Sequence, residues 1–252
     1  MMGQTELRRV RALHQKKARE ESGRFLVQGR KVVEELLGSR VETEALYATQ
    51  EAAAFIAPLA RKRRVAVEVL PDFELERLGT FEKGNELVAV AIAPAPPAFR
   101  APLHDELMLA LDGIADPRNL GGLLRIADWF GVRRVLCSPD CMEVHNPKCV
   151  QSTMGSLFRV EVRVADLAAE LGRCVAGGAA VFLADMDGAP VFDMNLARPA
   201  VLVLGSESHG LSEAVKAGNA TTIAIPRVGR AESLNVAMAA AALCTEFTRQ
   251  AR

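Results

Sequence analysis

Three loops of this chain carry polar side chains where packing asks for none. The stretch IAIPRVGRAESLNVAMAAAALCTEF, residues 223–247, starts as an apolar run suited to a buried strand and ends as an alanine-rich helix. Ser233 and Asn235 stand at the helix entrance. Ser233 reads as a helix N-cap, accepting bonds from first-turn amides. Asn235 reads as a residue of the first turn, where capping gives it no employment. The segment LDGIADPRNLGGLLRIADWFGV, 111–132, places Asn119 just before a helix, with Gly121 and Gly122 permitting close backbone approach. Arg125 follows among apolar neighbours and by itself fits a snorkelling surface arginine. In VLVLGSESHGLSE, 201–213, Glu207 comes two residues after Gly205, a position that also fits a solvated turn. Carboxamides, a hydroxyl and a carboxylate can orient a polar substrate, and a guanidinium can stabilise developing negative charge.

A second cluster invites a metal-site reading. Cys137, Cys141, His145 and Cys149 recur every four residues, but Pro139 and Pro147 interrupt any continuous helix through them. Five cysteines without a framework of short spacings suit reduced thiols in a cytoplasmic protein, and no metal is expected.

The chain has 252 residues, half of them hydrophobic, and 31 basic against 31 acidic side chains. That length can bury a proper core in one large or two smaller domains. The balance excludes a wholly basic nucleic-acid wrapper, yet charge is locally concentrated. Residues 7–31 hold nine Lys or Arg against Glu20 and Glu21, and RKRR occupies 61–64. Either run alone fits a solvated face. No apolar stretch reaches membrane-spanning length, and the N-terminus is too charged for a secretory signal.

PAPPAFRAP, 94–102, reads as a linker with four prolines. It predicts domains at 1–93 and 104–252 joined by 94–103. The first part reads as a basic helix (5–20), a strand (24–29), a helix (30–38), a strand-like run (43–49), a helix (51–62), and runs at 65–70 and 86–92, hence a small α/β sandwich. The second gives five apolar runs, LMLALDG, RVLCS, AVFLADM, AVLVLGSE and TTIAIPRV. Their apolar residues are consecutive, as in a parallel sheet covered on both faces. Such sheets bind ligands outside the carboxyl ends of their strands, which is where the three polar loops fall. The usual dinucleotide fingerprint is absent.

Together and in order, N-x-G-x-x-x-R (Asn119, Gly121, Arg125), L-G-x-E-x-x-G (Leu204, Gly205, Glu207, Gly210) and I-P-x-x-G-x-x-x-S-L-N-V (Ile225 to Val236) resemble the SpoU/TrmH family. These are RNA 2'-O-ribose methyltransferases of the SPOUT class. The resemblance spans 107–250 and includes VHNPKCVQSTMGSLF; more loosely, LRRVRALHQKKAREESGRFLVQGRKVVEEL looks like the family's N-terminal substrate-binding domain. It implies a parallel sheet with a deep trefoil knot and S-adenosylmethionine as cofactor, held by Leu204, Gly205, Ile225, Pro226, Gly229 and Leu234. It also implies catalysis by Arg125, Asn119, Glu207, Ser233 and Asn235. The implied substrate is structured RNA, most readily ribosomal, with Arg24, Arg30 and Lys31 as RNA contacts, and the implied assembly is a homodimer. The alternatives are a transfer-RNA ribose methyltransferase or a catalytically silent RNA-binding member of the same fold.

Overall fold

The computed structural model describes residues 2–81 and 85–251. The chain divides into two compact units, one of residues 1–95 with 143–159, the other of 96–142 with 160–252. The first unit is therefore discontinuous, which a single division at the proline-rich stretch does not anticipate. Among the described residues, no helix is long and apolar enough to cross a membrane.

The elements of residues 1–95 are α1 (Gln4–Ala12), α2 (Lys16–Ser22), β1 (Arg24–Gln28), α3 (Arg30–Gly38), β2 (Thr43–Ala48), α4 (Gln50–Arg63), β3 (Val67–Val69), α5 (Asp72–Leu78) and β4 (Leu87–Ile92). The strands form a sheet in the order β1-β4-β2-β3. The single helix expected over 5–20 is broken, because Gln15 is extended and starts a second helix. The break lets Leu7, Val10 and Leu13 turn inward while His14 reaches the Leu78 carbonyl. Helix α5, unanticipated, buries Leu75 and Leu78. Phe25 and Val27 enter one core and Leu26 the other, so helices cover both faces, as strand alternation requires.

The later elements are β5 (Leu107–Asp112), α6 (Pro117–Trp129), β6 (Arg134–Cys137), α7 (Pro147–Ser152), β7 (Glu161–Val164), α8 (Leu167–Ala176), β8 (Ala180–Pro190), β9 (Ala200–Gly205), α9 (Glu213–Lys216), β10 (Thr221–Ala224) and α10 (Val236–Gln250). Six strands pair in the order β10-β8-β9-β5-β6-β7, every pair parallel. The five apolar runs are β5, β6, β8, β9 and β10. The sixth strand, β7, is an edge strand of sequence EVRV whose side chains are half or fully exposed, so it carries no apolar signal.

Helix α7 belongs to the first unit, where Val150 joins the core of β1 and β4 and His145 stacks on Phe25 at 4.4 Å. A Cβ at Gly155 (φ +95°) would lie 2.6 Å from the Glu35 side chain, so glycine is required there on two grounds. Arg19, nearly fully buried, donates through Nε and Nη2 to Glu143 at 3.0 and 2.5 Å and through Nη1 to the Leu13 carbonyl at 2.8 Å. Removing one partner of such a pair strands the other charge. Arg19→Ala is expected to cost about 3 kcal/mol, and Arg19→Met with Glu143→Leu to recover most of it. Urea unfolding checks both; a single-variant cost below about 1 kcal/mol would show the pair to be dispensable.

Candidate active site at the strand ends

The last helix begins at Val236, and its cap is Asn235 rather than Ser233. Asn235 Oδ1 accepts from the amides of Ala237 (3.0 Å) and Met238 (3.4 Å). A carboxamide also has a donor end. Asn235 Nδ2 donates to Asn119 Oδ1 at 2.9 Å and to Glu207 Oε1 at 2.6 Å. The same Glu207 oxygen accepts from the Val236 amide at 3.2 Å, a favourable place for a carboxylate at a helix N-terminus. Residues from the loops after β5, β9 and β10 thus meet at one side chain.

Each loop has its own reason for being there. Helix α6 starts at Pro117, so Asn119 sits inside its first turn rather than before it. Asp116 is the cap, its Oδ1 accepting from the amides of Arg118 (2.6 Å) and Asn119 (3.3 Å). Aspartate followed by proline is the signal that marks this start in the sequence. Buried Asp112 at the end of β5 accepts from the Ser212 amide at 2.7 Å, fastening the loop after β9. Within that loop a Cβ on Gly205 would meet the backbone of Gly210 and Leu211 at 2.4–2.6 Å. Ser206 and Gly210 exchange backbone bonds of 2.9 and 3.0 Å, which turns Glu207 outward.

Helices α6 and α10 approach through small residues: a Cβ on Gly122 would stand 3.5 Å from that of Ala237. Arg125 is exposed, and among the described residues its side chain has no hydrogen bond or ion pair. Six residues of helix separate it from Asn119, about 120° of phase and about 9 Å of rise. Trp129, one turn further along, is 84% exposed. The third loop is open: residues 226–234 are exposed, and Val228–Leu234 make no backbone–backbone hydrogen bond among the described residues. Ser233 has no side-chain partner there either, while Leu234 is half exposed, Ile225 half-buried and Leu204 buried.

The basic candidates of the first unit are already engaged. Arg24 pairs with Glu44, Arg30 with Glu86 and Glu51 at 2.8 Å, and Lys31 with Glu35 at 2.8 Å. Hydrogen bonding to Glu86 raises the Arg30 pKa, and hydrogen bonding to Glu35 raises that of Lys31.

The four-residue repeat of Cys and His is dispersed. Cys137 and Cys141 lie in the second unit, His145 and Cys149 in the first. Among the described residues no group of three or more such side chains is arranged to hold a metal ion. Cys141 instead lies under the loop leading to Asn119, 3.3 Å from the Ile114 amide and 3.2 Å from the Leu111 carbonyl. A hydrogen bond from Cys137 holds the Cys141 thiol down at about 6, with Ser138 and the Ile114 amide adding to it against burial. Burial pushes Cys149 and Cys244 up to about 12. Cys141 is therefore expected to be the first thiol alkylated by iodoacetamide, with a rate that rises through pH 6. Peptide mass spectrometry across pH checks this; equal labelling of Cys149 would contradict it.

The family model of the SpoU rRNA methylases matches residues 106–245, and that of the MRM3-like substrate binding domain matches 4–88. A 23S rRNA (uridine(2479)-2'-O)-methyltransferase of Streptomyces viridochromogenes is 31% identical over 243 residues, covering 92% of this chain and 85% of that protein. The 23S rRNA (guanosine(2553)-2'-O)-methyltransferase RlmP of Bacillus subtilis is 28% identical over 92% of this chain and 91% of its own. The crystal structure of the SpoU methyltransferase AviRb from Streptomyces viridochromogenes with AdoMet superposes with a TM-score of 0.86 at 28% identity, covering 98% of each chain. The ordered loops and both matched halves lead to one assignment: the chain belongs to the SpoU rRNA methylase family.

Proposed function

We propose that this protein methylates a ribose 2'-hydroxyl of ribosomal RNA, using S-adenosylmethionine, as a homodimer in the cytoplasm. The observation that carries the reading is the junction of Asn119, Glu207 and Asn235, which joins the three loop motifs at one carboxamide. Its relatives that methylate 23S rRNA at 2'-oxygens support the substrate class. On this reading the first unit recognises RNA and the second holds the catalytic loops, threaded as a trefoil knot.

The third loop fits the cofactor: backbone groups without backbone partners, beside half-exposed Leu234 and Ile225, offer polar and apolar contacts together. Leu204, Gly205, Ile225, Pro226, Gly229 and Leu234 hold it. When bound, S-adenosylmethionine supplies a methyl group activated by its sulfonium. The protein aligns the hydroxyl and stabilises charge on its oxygen. Arg125 cannot act as a base, because a guanidinium stays protonated. It stabilises the developing alkoxide and grips the adjacent phosphate, while a phosphate oxygen or water takes the proton. Asn119 and Glu207 position Asn235, and the unpaired Ser233 hydroxyl faces the substrate.

The helical phase of Arg125 supports the homodimer. It sets the guanidinium away from Asn119 and on one exposed stripe with Trp129, so a second copy both covers the indole and completes the site. Trp129→Glu is expected to give monomers by sedimentation, with activity falling alongside; a fully active monomer would overturn the composite site. The central test uses methyl-labelled S-adenosylmethionine, unmodified ribosomal RNA and alkaline cleavage, which cannot cut beside a 2'-O-methyl ribose. Label is expected in alkali-resistant dinucleotides. Arg125→Lys, which keeps charge but loses the fork, is expected to slow turnover about a hundredfold. Label in mononucleotides would overturn ribose methylation.

A further inference from the structure

Several cations of the first unit are spent on carboxylates, Arg9, Arg24, Arg30 and Lys31 among them, while Arg8, Arg11, Arg77 and Lys148 are exposed without an acidic partner among the described residues. Arg40, Arg61, Lys62 and Arg64 are exposed, and none has an acidic partner among the described residues. Arg63 Nη2 donates to the Val41 carbonyl at 3.0 Å, which brings the C-terminal end of α4 against the turn after α3 that carries Arg40. Arg40 and Leu59 then line the same open groove of about 750 Å³. The groove's other walls include Pro94 and the half-buried ring of Phe158. Its acidic residues are already neutralised: Glu35 pairs with Lys31 at 2.8 Å and with Arg159 at 2.5 Å, and Glu34 lies 3.9 Å from Lys31.

We propose that this surface, Arg40 with the end of α4 beside the groove walled by Leu59, Pro94 and Phe158, is where the first unit grips unpaired RNA. Cations without carboxylate partners suit a phosphate backbone. An apolar wall with an aromatic ring alongside suits an unstacked base, a combination that looped RNA presents and a plain duplex does not. Arg24 and Arg30 then serve the fold, because binding phosphate through them would first require breaking ion pairs. The inference rests on the reading that the chain acts on RNA, and it assigns the face.

The test measures affinity of the full chain for an unmodified 23S rRNA transcript as a function of salt. Arg40→Gln/Arg61→Gln/Lys62→Gln is expected to bind roughly tenfold more weakly at physiological salt and to lower the salt slope by about 2, about 0.7 for each lost contact with unpaired RNA. Lys16→Gln/Lys17→Gln, which removes cations paired on α2, is expected to leave the slope unchanged. Cofactor binding by calorimetry should be unaltered in both variants. Phe158→Leu, which keeps an apolar core contact, is expected to weaken binding without changing the slope. An unchanged slope in the triple variant, with wild type still binding and methylating RNA, overturns the assigned face alone. Equal slope losses in the double variant also overturn it, showing net charge rather than place. Wild type that neither binds nor methylates RNA overturns both readings. Wild type that prefers polyglutamate to RNA at this face points to an acidic protein partner and overturns the inference.

Discussion

The joining of the three loops at the strand ends depends on one carboxamide being used at both ends. Asn235 spends its oxygen on the first amides of α10 and its nitrogen on Asn119 and Glu207. Aspartate would keep the cap but set an acceptor against two acceptors, and serine would keep the cap but fall short of the other loops. The last helix is therefore capped by a group that also ties in the turn after β9 and the start of α6, each of which keeps its own anchor in Asp112 and Asp116. Stability and site geometry are one interaction here.

The sheet is legible in the sequence because a parallel strand covered on both faces must be apolar at consecutive positions, and β5 and β9 are buried nearly throughout. Strand β7 is illegible for the converse reason: it lies at the edge, where nothing requires its side chains to be apolar. Helix α5 hides because seven residues give too short a window for periodicity. The motif residues are visible by type and spacing, yet their duties are not. Ser233 and Asn235 have equal claims to the cap by residue type, and only the position of Val236 in space decides for Asn235. Asp112 and Asp116 lie within the first loop segment, and Asp116 carries a readable capping signal.

Charge shows the same gap between composition and structure. A basic run in sequence predicts a basic surface only if its partners are solvent. In the first unit Arg9 and Arg24 share Glu44, and Arg30 spans two carboxylates. Acidic residues far apart in sequence thus decide which cations remain available. The second run, at the end of α4, is shorter and has no carboxylate partner among the described residues, Arg63 alone being tied to the Val41 carbonyl.

The discontinuity of the first unit sets a timetable for synthesis. Its residues up to 95 emerge first, but the segment that completes it, 143–159, is made only after β5, α6 and β6. At ribosomal rates of roughly 5–20 residues per second, that interval lasts several seconds. Throughout it the Phe25 ring lacks its stacked histidine and the Arg19 guanidinium has no carboxylate to enter the interior with. The unit that begins first is therefore finished by chain belonging to the second half, and its closure waits on the ribosome rather than on its own folding rate.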